Sequence, residues 1–554
     1  MRYKAQFLEV TLYLGAVQRR TDGFMVDRRE VLQFAIGLVA GPAAARADEA
    51  ANPQASPAPP PAPSAAAAPP EPAWGFPLAE PTPFNPAMVT ELARSLAKQP
   101  YKALAADLPD AFKGLSYDQY VAIHLRPGGT IWAKDNVGFA LEPLHRGFAF
   151  SPPMQIHIVA DGAARRVIYD AAQFDFGKPA PANLGDIGFS GFRVLAPLEH
   201  GGFFELATFQ GASFFRAVGH GQEPGTMARA LSIKTADPAG EEFPAIRTVW
   251  IERPTLAGNA LTVYAIIDSE SVTGAYRFTL RPGDATIIDT ECTLFARAAL
   301  DNFGIATMSA THVAGAIDKT RLDDLRPQIG EIDGLQILTG RGEWLWRPVS
   351  NPATLQISSF IDENPRGFGF LQRDRNFDHF QDDDQHWENR PSLWIEPIGD
   401  WAAGAVQLIE IPSESEVNDN IIAYWRPKQP LNVGAEISFA YRQFWCRVPP
   451  ERPPLATVAL SRSGRGGSAR RRRFLVEFSG GALSQIKDAS DIAAKLNVAP
   501  GSFFLLRTLL STESASFRVL FELDPGNEAY SELRLVLESQ GKPISETWIY
   551  RWTA

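Results

Sequence analysis

Cysteine is scarce: the 554 residues contain two, Cys292 and Cys446. That excludes a disulfide-stapled scaffold and leaves room for one bridge at most. Cys292 sits in the strand-like TIIDTECTLFAR, where a buried free thiol is the commoner state. Histidine is scarce too. The eight are scattered, with no Cys/His spacing of a zinc site, so neither a metal nor another cofactor is expected. Positive charge is in deficit. A net charge of −10 and a pI near 5.5 lack the basic footprint of nucleic-acid binders, so no nucleic acid is expected as partner. The apolar stretch Phe34–Ala45 is short and interrupted by Gly37, Gly41 and Pro42, which is not enough to span a bilayer. No strand–helix–strand rhythm runs along the chain, which argues against a parallel doubly wound sheet.

What is present divides the chain into four parts. Residues 1–47 read as a leader. Asp27-Arg28-Arg29-Glu30 puts tandem arginines ahead of the apolar stretch, as twin-arginine signal peptides do, and Ala45-Arg46-Ala47 is an A-x-A cleavage site. The expected partner is therefore the twin-arginine export machinery. Met25 lies just upstream of the arginines and is a second candidate start. Residues 48–73 are mostly Ala and Pro, a tether too poor in large apolar groups to fold. Residues 74–446 open with a helix. Asn85 is its N-cap, Pro86 its first residue, Val89, Leu92 and Leu96 its apolar face, and Pro100 its stop. Strand signals follow, separated by turn chemistry at Arg126–Gly129, Asp161-Gly162 and Arg281–Asp284. Residues 447–554 begin with a proline-rich boundary and the basic run Ser461–Arg473, read as an exposed loop. Short alternating strands come next, such as Phe517, Val519, Phe521 and Leu523. The expected fold class is all-β: a large N-terminal β-sandwich followed by a smaller immunoglobulin-like β-sandwich.

Between Ile332 and Trp425 aromatics, arginines and carboxylates interleave, with Trp344, Trp346, Trp387, Trp394, Trp401 and Trp425 all inside. Flat rings stack on the apolar faces of sugars, and carboxylates and guanidinium groups bind hydroxyls. The same composition also suits a polar loop cluster over an all-β core.

The order of the motifs adds to this. SGFRVLAPL (Ser190–Leu198), ELATFQGASFFRAVG (Glu205–Gly219), EFP (Glu242–Pro244), DGLQILTGRGEWLWRP (Asp333–Pro348), NPRGFGFLQRDR (Asn364–Arg375), RPSLWIEP (Arg390–Pro397) and NDNIIAYWRP (Asn418–Pro427) resemble the OpgG/OpgD family of periplasmic glucan biosynthesis proteins. With its arginine-pair leader, the chain looks most like the twin-arginine-exported OpgD type. The resemblance implies a carbohydrate-enzyme (galactose-mutarotase-like) sandwich, a periplasmic location and a β-1,2-glucan partner. It also implies an inverting endo-β-1,2-glucanase. The alternatives are an inverting transglycosylase or cyclase, and a non-catalytic glucan-binding scaffold. A homodimer is compatible with all three.

By the same resemblance Asp419 matches the general acid and Asp333 the general base. Read from the residues alone, Asn418-Asp419-Asn420 and Asp333-Gly334 are both also turn signals. Glu416, three residues before Asp419, is a candidate for a like charge or a proton relay. Trp344, Trp346 and Arg347 are candidate subsite walls, although alternation allows the two tryptophans to be core. Gln372, Arg373 and Arg375 with Asp382 and Asp384 form either hydroxyl-binding pairs or a solvated charge network. Tyr424 is a further substrate-binding candidate. Glu205, Phe214, Phe215 and Arg216 are expected to line the same groove from its other side.

Overall fold

The structure is a computed structural model that describes residues 75–177, 184–198, 200–255, 257–319 and 323–554. The expected leader and tether lie outside the described residues. Two large sheets face each other across one core. The larger has 16 strands, and its centre runs Ala245–Glu252, Leu261–Asp268, Val272–Arg281, Thr286–Ala296, Glu436–Cys446, Ser392–Ile398, Gly367–Leu371, Gly334–Leu338 and Trp344–Pro348. The second has 10 strands. Gln356–Glu363 and Ala140–Leu144 are its edges, and Phe303–Ala310 lies between Ile421–Pro427 and Met227–Arg229. The all-β class and the large sandwich are as expected.

Alternation of side chains sets the layers. In Leu261–Asp268, the residues Leu261, Val263, Ala265 and Ile267 enter the core between the sheets. Tyr264 and Ile266 take the outer face, where the helix Pro86–Ala97 covers them with Val89 and Ala93. The strand is dry on both sides, so it reads as an almost unbroken apolar run. Asn85 caps the helix by accepting a hydrogen bond from Ala87 N at 3.0 Å. One expected face residue does not fit. Leu92 is 40% exposed, because the buried stripe is Val89, Ala93, Leu96 and Ala97, and Leu92 falls to one side of it. Asp161-Gly162 turns the chain between Gln155–Ala160 and Ala163–Arg166 with φ of 51° and 73°, the left-handed pair that a two-residue hairpin requires.

After Cys446 the strands build the smaller sandwich. Thr457–Arg465, Arg472–Ser479, Ser516–Asp524 and Ser502–Ser511 form a four-stranded sheet. It packs on Ala493–Ala499, Tyr530–Ser539 and Thr547–Thr553 through Phe474, Val476, Val519, Phe521, Leu535 and Trp548. This sandwich is not detached. Thr547–Thr553 lies parallel to Trp344–Pro348, with Trp548 opposite Trp346, so one sheet runs through both units. The basic run is a loop only in part, closing the hairpin between Thr457–Arg465 and Arg472–Ser479. Most of Ser461–Arg473 is strand, and only 466–471 turn. Arg471 and Arg473 are paired with the buried Glu522. Both cysteines are free and buried, and burial pushes each thiol up to about 12. Among the described residues no helix is long and apolar enough to cross a membrane.

Candidate active site

The site grows from the end of the strand Phe303–Ala310. Beside it, Ile421–Pro427 pairs with Ser309 opposite Ile422, which puts Asn418-Asp419-Asn420 at the strand's exit. The two asparagines anchor this segment. The Asn420 side chain accepts from His312 N at 2.8 Å and donates to His312 O at 2.9 Å and Ile411 O at 3.0 Å, so its amide stands in for a missing strand neighbour. Thr311 Oγ1 donates to Asn418 O at 2.9 Å. With both neighbours held, Asp419 extends its carboxylate to Ser309, whose hydroxyl donates to Oδ2 at 2.6 Å. Burial raises the Asp419 carboxyl above the ordinary aspartate value, against the pull of that hydrogen bond and of the Arg229 and Arg216 charges.

A third carboxylate, Glu331, was not singled out from the sequence. Thr311 N donates to its Oε2 at 3.2 Å, and its own N–H returns a bond to Thr311 O. Burial first, then the Asp419 charge, push its carboxyl up to about 7, while Arg390 and Arg216 pull it down. The only signal in the sequence was its place two residues before Asp333 in Glu331-Ile332-Asp333.

Asp333 does not sit in a free turn. Gly334 already belongs to a strand between Leu371 and Pro348. A side chain there would meet Arg347 O and the Trp346 ring at 2.7 Å, so close packing explains the glycine. Asp333 Oδ2 accepts the backbone N–H groups of Arg373 at 2.5 Å and Asp374 at 2.6 Å. Burial raises its carboxyl nonetheless. Asp333 and His312 line the same small cavity of about 70 Å3, together with Arg373, Asp374, Trp346 and Ser461. His312 Nε2 lies 3.2 Å from Asp318. Burial opposes the charged imidazole, but the Asp318 and Asp333 carboxylates outweigh it and raise its pKa. Asp419, Glu331 and Asp333 thus all act on the short run from Ser309 to His312. Among the described residues no three His, Cys, Asp or Glu side chains are grouped to hold a metal ion.

Residues 84–552 match the family model "Periplasmic glucan biosynthesis protein, MdoG". The chain belongs to the MdoG family. Similar relatives include the "Glucans biosynthesis protein G" of Vibrio cholerae, 42% identical over 85% of this chain and 87% of that protein. The protein of the same name from Rhodopseudomonas palustris is 42% identical over 86% of this chain and 94% of the other. That of Shewanella frigidimarina is 41% identical over 85% of each.

The sandwich of this MdoG-family chain gives the other expected site residues different work. Trp344 is 6% exposed and stacks on Trp394 at 6.0 Å within a core that includes Leu338 and Phe444. It is core, not a subsite wall. Arg347 is buried on Glu410 at 2.9 Å and lies over Tyr550, so it too is shut away from a groove. Tyr424 is 2% exposed, packed among Ile409 and Ile422, and contributes no open surface. Trp346 is buried under the Arg373 guanidinium, 3.5 Å from its ring centroid. Arg373 does not pair with Asp382. It grips Glu546 of the smaller sandwich at 2.6 and 3.0 Å. Glu546 is fully buried and also accepts from Gln336 and Val458 N. Arg375 caps carbonyls of Glu388, Arg390 and Arg447 instead of meeting a carboxylate. Gln372 is buried and donates to Gly330 O and Trp387 O. Asp382 and Glu416 are brought together by Arg326, at 2.7 and 2.6 Å, and Asp382 also accepts from Trp387 Nε1. On the opposite side, Arg216 pairs with Glu205 at 3.0 Å and its charge reaches Asp419 and Glu331. Phe214 and Phe215 are buried. A cleft of about 310 Å3 adjoins Glu205, lined by Phe204, His220 and Gln222.

Proposed function

We propose that the protein is an inverting endo-β-1,2-glucanase of the periplasm that trims the backbone of osmoregulated glucans. The relatives named for glucan biosynthesis support the substrate class. The family description and the Arg28-Arg29 leader support a periplasmic location after twin-arginine export. The observation that carries the chemistry is the environment of Asp419. Its carboxyl is raised by burial, oriented by Ser309, and fixed by clamps on either side. A carboxyl whose pKa is raised by burial keeps its proton to higher pH than an ordinary aspartate, as protonating a leaving glycosidic oxygen requires.

Asp333 is the base in this reading. The two backbone N–H groups on Oδ2 orient its carboxylate without neutralising it. The cavity it shares with His312 has room for a few waters, enough to carry a proton from attacking water to the carboxylate. Inversion requires room for that water between acid and base. The test is incubation of the purified protein with linear β-1,2-glucan, followed by mass spectrometry and by the anomeric form of the new reducing ends. Short fragments born with inverted configuration are expected. Rings or lengthened chains would mean that a sugar hydroxyl attacks instead of water. A glucan left intact would make the protein a binding scaffold.

A further inference from the structure

Glu331 has no part in the acid and base assignments above, yet it is tied to the same run of chain as the acid. Ser309 holds Asp419 and Thr311 holds Glu331. Two residues of extended chain span about 7 Å, so the two carboxyl groups lie within each other's field. The neighbouring cations do not offset two negative charges. Arg216 faces both groups but is paired with Glu205, and Arg229 faces Asp419 but is paired with Glu241. Arg390 faces Glu331 but also feels Glu223. Arg193 also reaches Glu205 but pairs with Glu142 as well, so four arginines stand against four glutamates and leave no surplus positive charge for a doubly ionised pair.

Building on the acid assignment for Asp419, we propose that Glu331 is a positioning residue that keeps a proton on the acid, the two carboxyls acting as a pair that shares one. The pair gives that proton to the leaving oxygen, becomes doubly ionised, and recovers a proton from water before the next turnover. The rise of Glu331 to about 7 through burial and the Asp419 charge fits a pair that loses its last proton near neutrality. Serine at 309 and the Thr311 N–H favour ionised oxygens. Without the repulsion between the two groups Asp419 would ionise at lower pH.

The experiment is the pH profile of kcat/KM for Glu331→Gln, Glu331→Asp and Asp419→Asn on β-1,2-glucan, with thermal melts to confirm folding. Glu331→Gln should move the alkaline limb down by about one pH unit or more, while the acid limb, set by the Asp333 base, stays in place. Glu331→Asp should keep the limb near its original place. Asp419→Asn should be inactive at every pH. A Glu331→Gln limb that stays in place, or activity that falls equally at all pH, overturns the pairing while leaving Asp419 as the acid. An active Asp419→Asn overturns the acid assignment itself, and the pairing with it.

Discussion

Asp419→Asn should abolish turnover and make the protein more stable at alkaline pH. The amide is nearly isosteric, and Ser309 can donate to its oxygen as it donates to Oδ2 now at 2.6 Å. What disappears is the proton and the charge. Loss of general acid catalysis is worth about 10²–10⁴-fold, or about 3–5 kcal/mol of barrier. The stability effect works through Glu331. Its folded carboxyl titrates at about 7 against an ordinary value of 4.5, so the folded state binds that proton more tightly than the unfolded one. This contribution is fully present below pH 4.5 and is lost as pH rises through 7. A gap of about 2.5 pH units corresponds to about 3 kcal/mol as an upper limit. Glu331 is only partly buried, and screening by water reduces this to about 1–2 kcal/mol. Removing the Asp419 charge relieves part of it. The variant should therefore melt ~1–2 °C above wild type at pH 8 and show little difference at pH 4.5. Reducing-end release measures the first effect, calorimetric glucan binding shows that the site survives, and melting curves at the two pH values measure the second. More than a tenth of wild-type activity would refute the acid role. A lower melting point at both pH values would show that the carboxylate is needed for folding.

Asn420→Ala removes three hydrogen bonds from a side chain that is 2% exposed. It should cost about 2–4 kcal/mol in chemical denaturation and lower kcat at least tenfold by freeing Asp419. Glu546→Gln leaves the Arg373 charge without its counter-ion. Breaking a buried pair costs about 3–5 kcal/mol, and because the Arg373 side chain is 19% exposed the expected loss in urea unfolding is about 2–3 kcal/mol. Trp344→Leu should lower stability by about 2–4 kcal/mol through lost packing on Trp394, with the KM for glucan unchanged.

The layers of the fold were legible because period-two patterns and turn residues are local signals. Asp161-Gly162 and the Asn85-Pro86 helix start needed only their neighbours to be read. The partners of the charged residues were not legible. Arg347 finds Glu410 63 positions away and Arg373 finds Glu546 173 positions away, distances at which no spacing rule operates. Aromatics misled for a related reason. A sheet dry on both faces hides rings on either side, so the alternation of Trp344 and Trp346 says which rings share a face, not whether that face meets water. Glu331 was missed because a single glutamate before Asp-Gly has no distinguishing pattern. Only the fold that sets Thr311 beside it shows what it faces.

The strand Thr547–Thr553, parallel to Trp344–Pro348, ties the smaller sandwich to the residues around Asp333. Without this strand and the Glu546 that precedes it, the large sheet would end in an open edge at Trp344–Pro348. Arg373 then lacks the carboxylate that fixes its side chain, while its backbone N–H is one of the two that orient Asp333. A chain lacking Glu546 and that strand would keep Asp419 and Asp333 and still lose the brace behind Asp333, so the smaller sandwich helps to hold the proposed base in place.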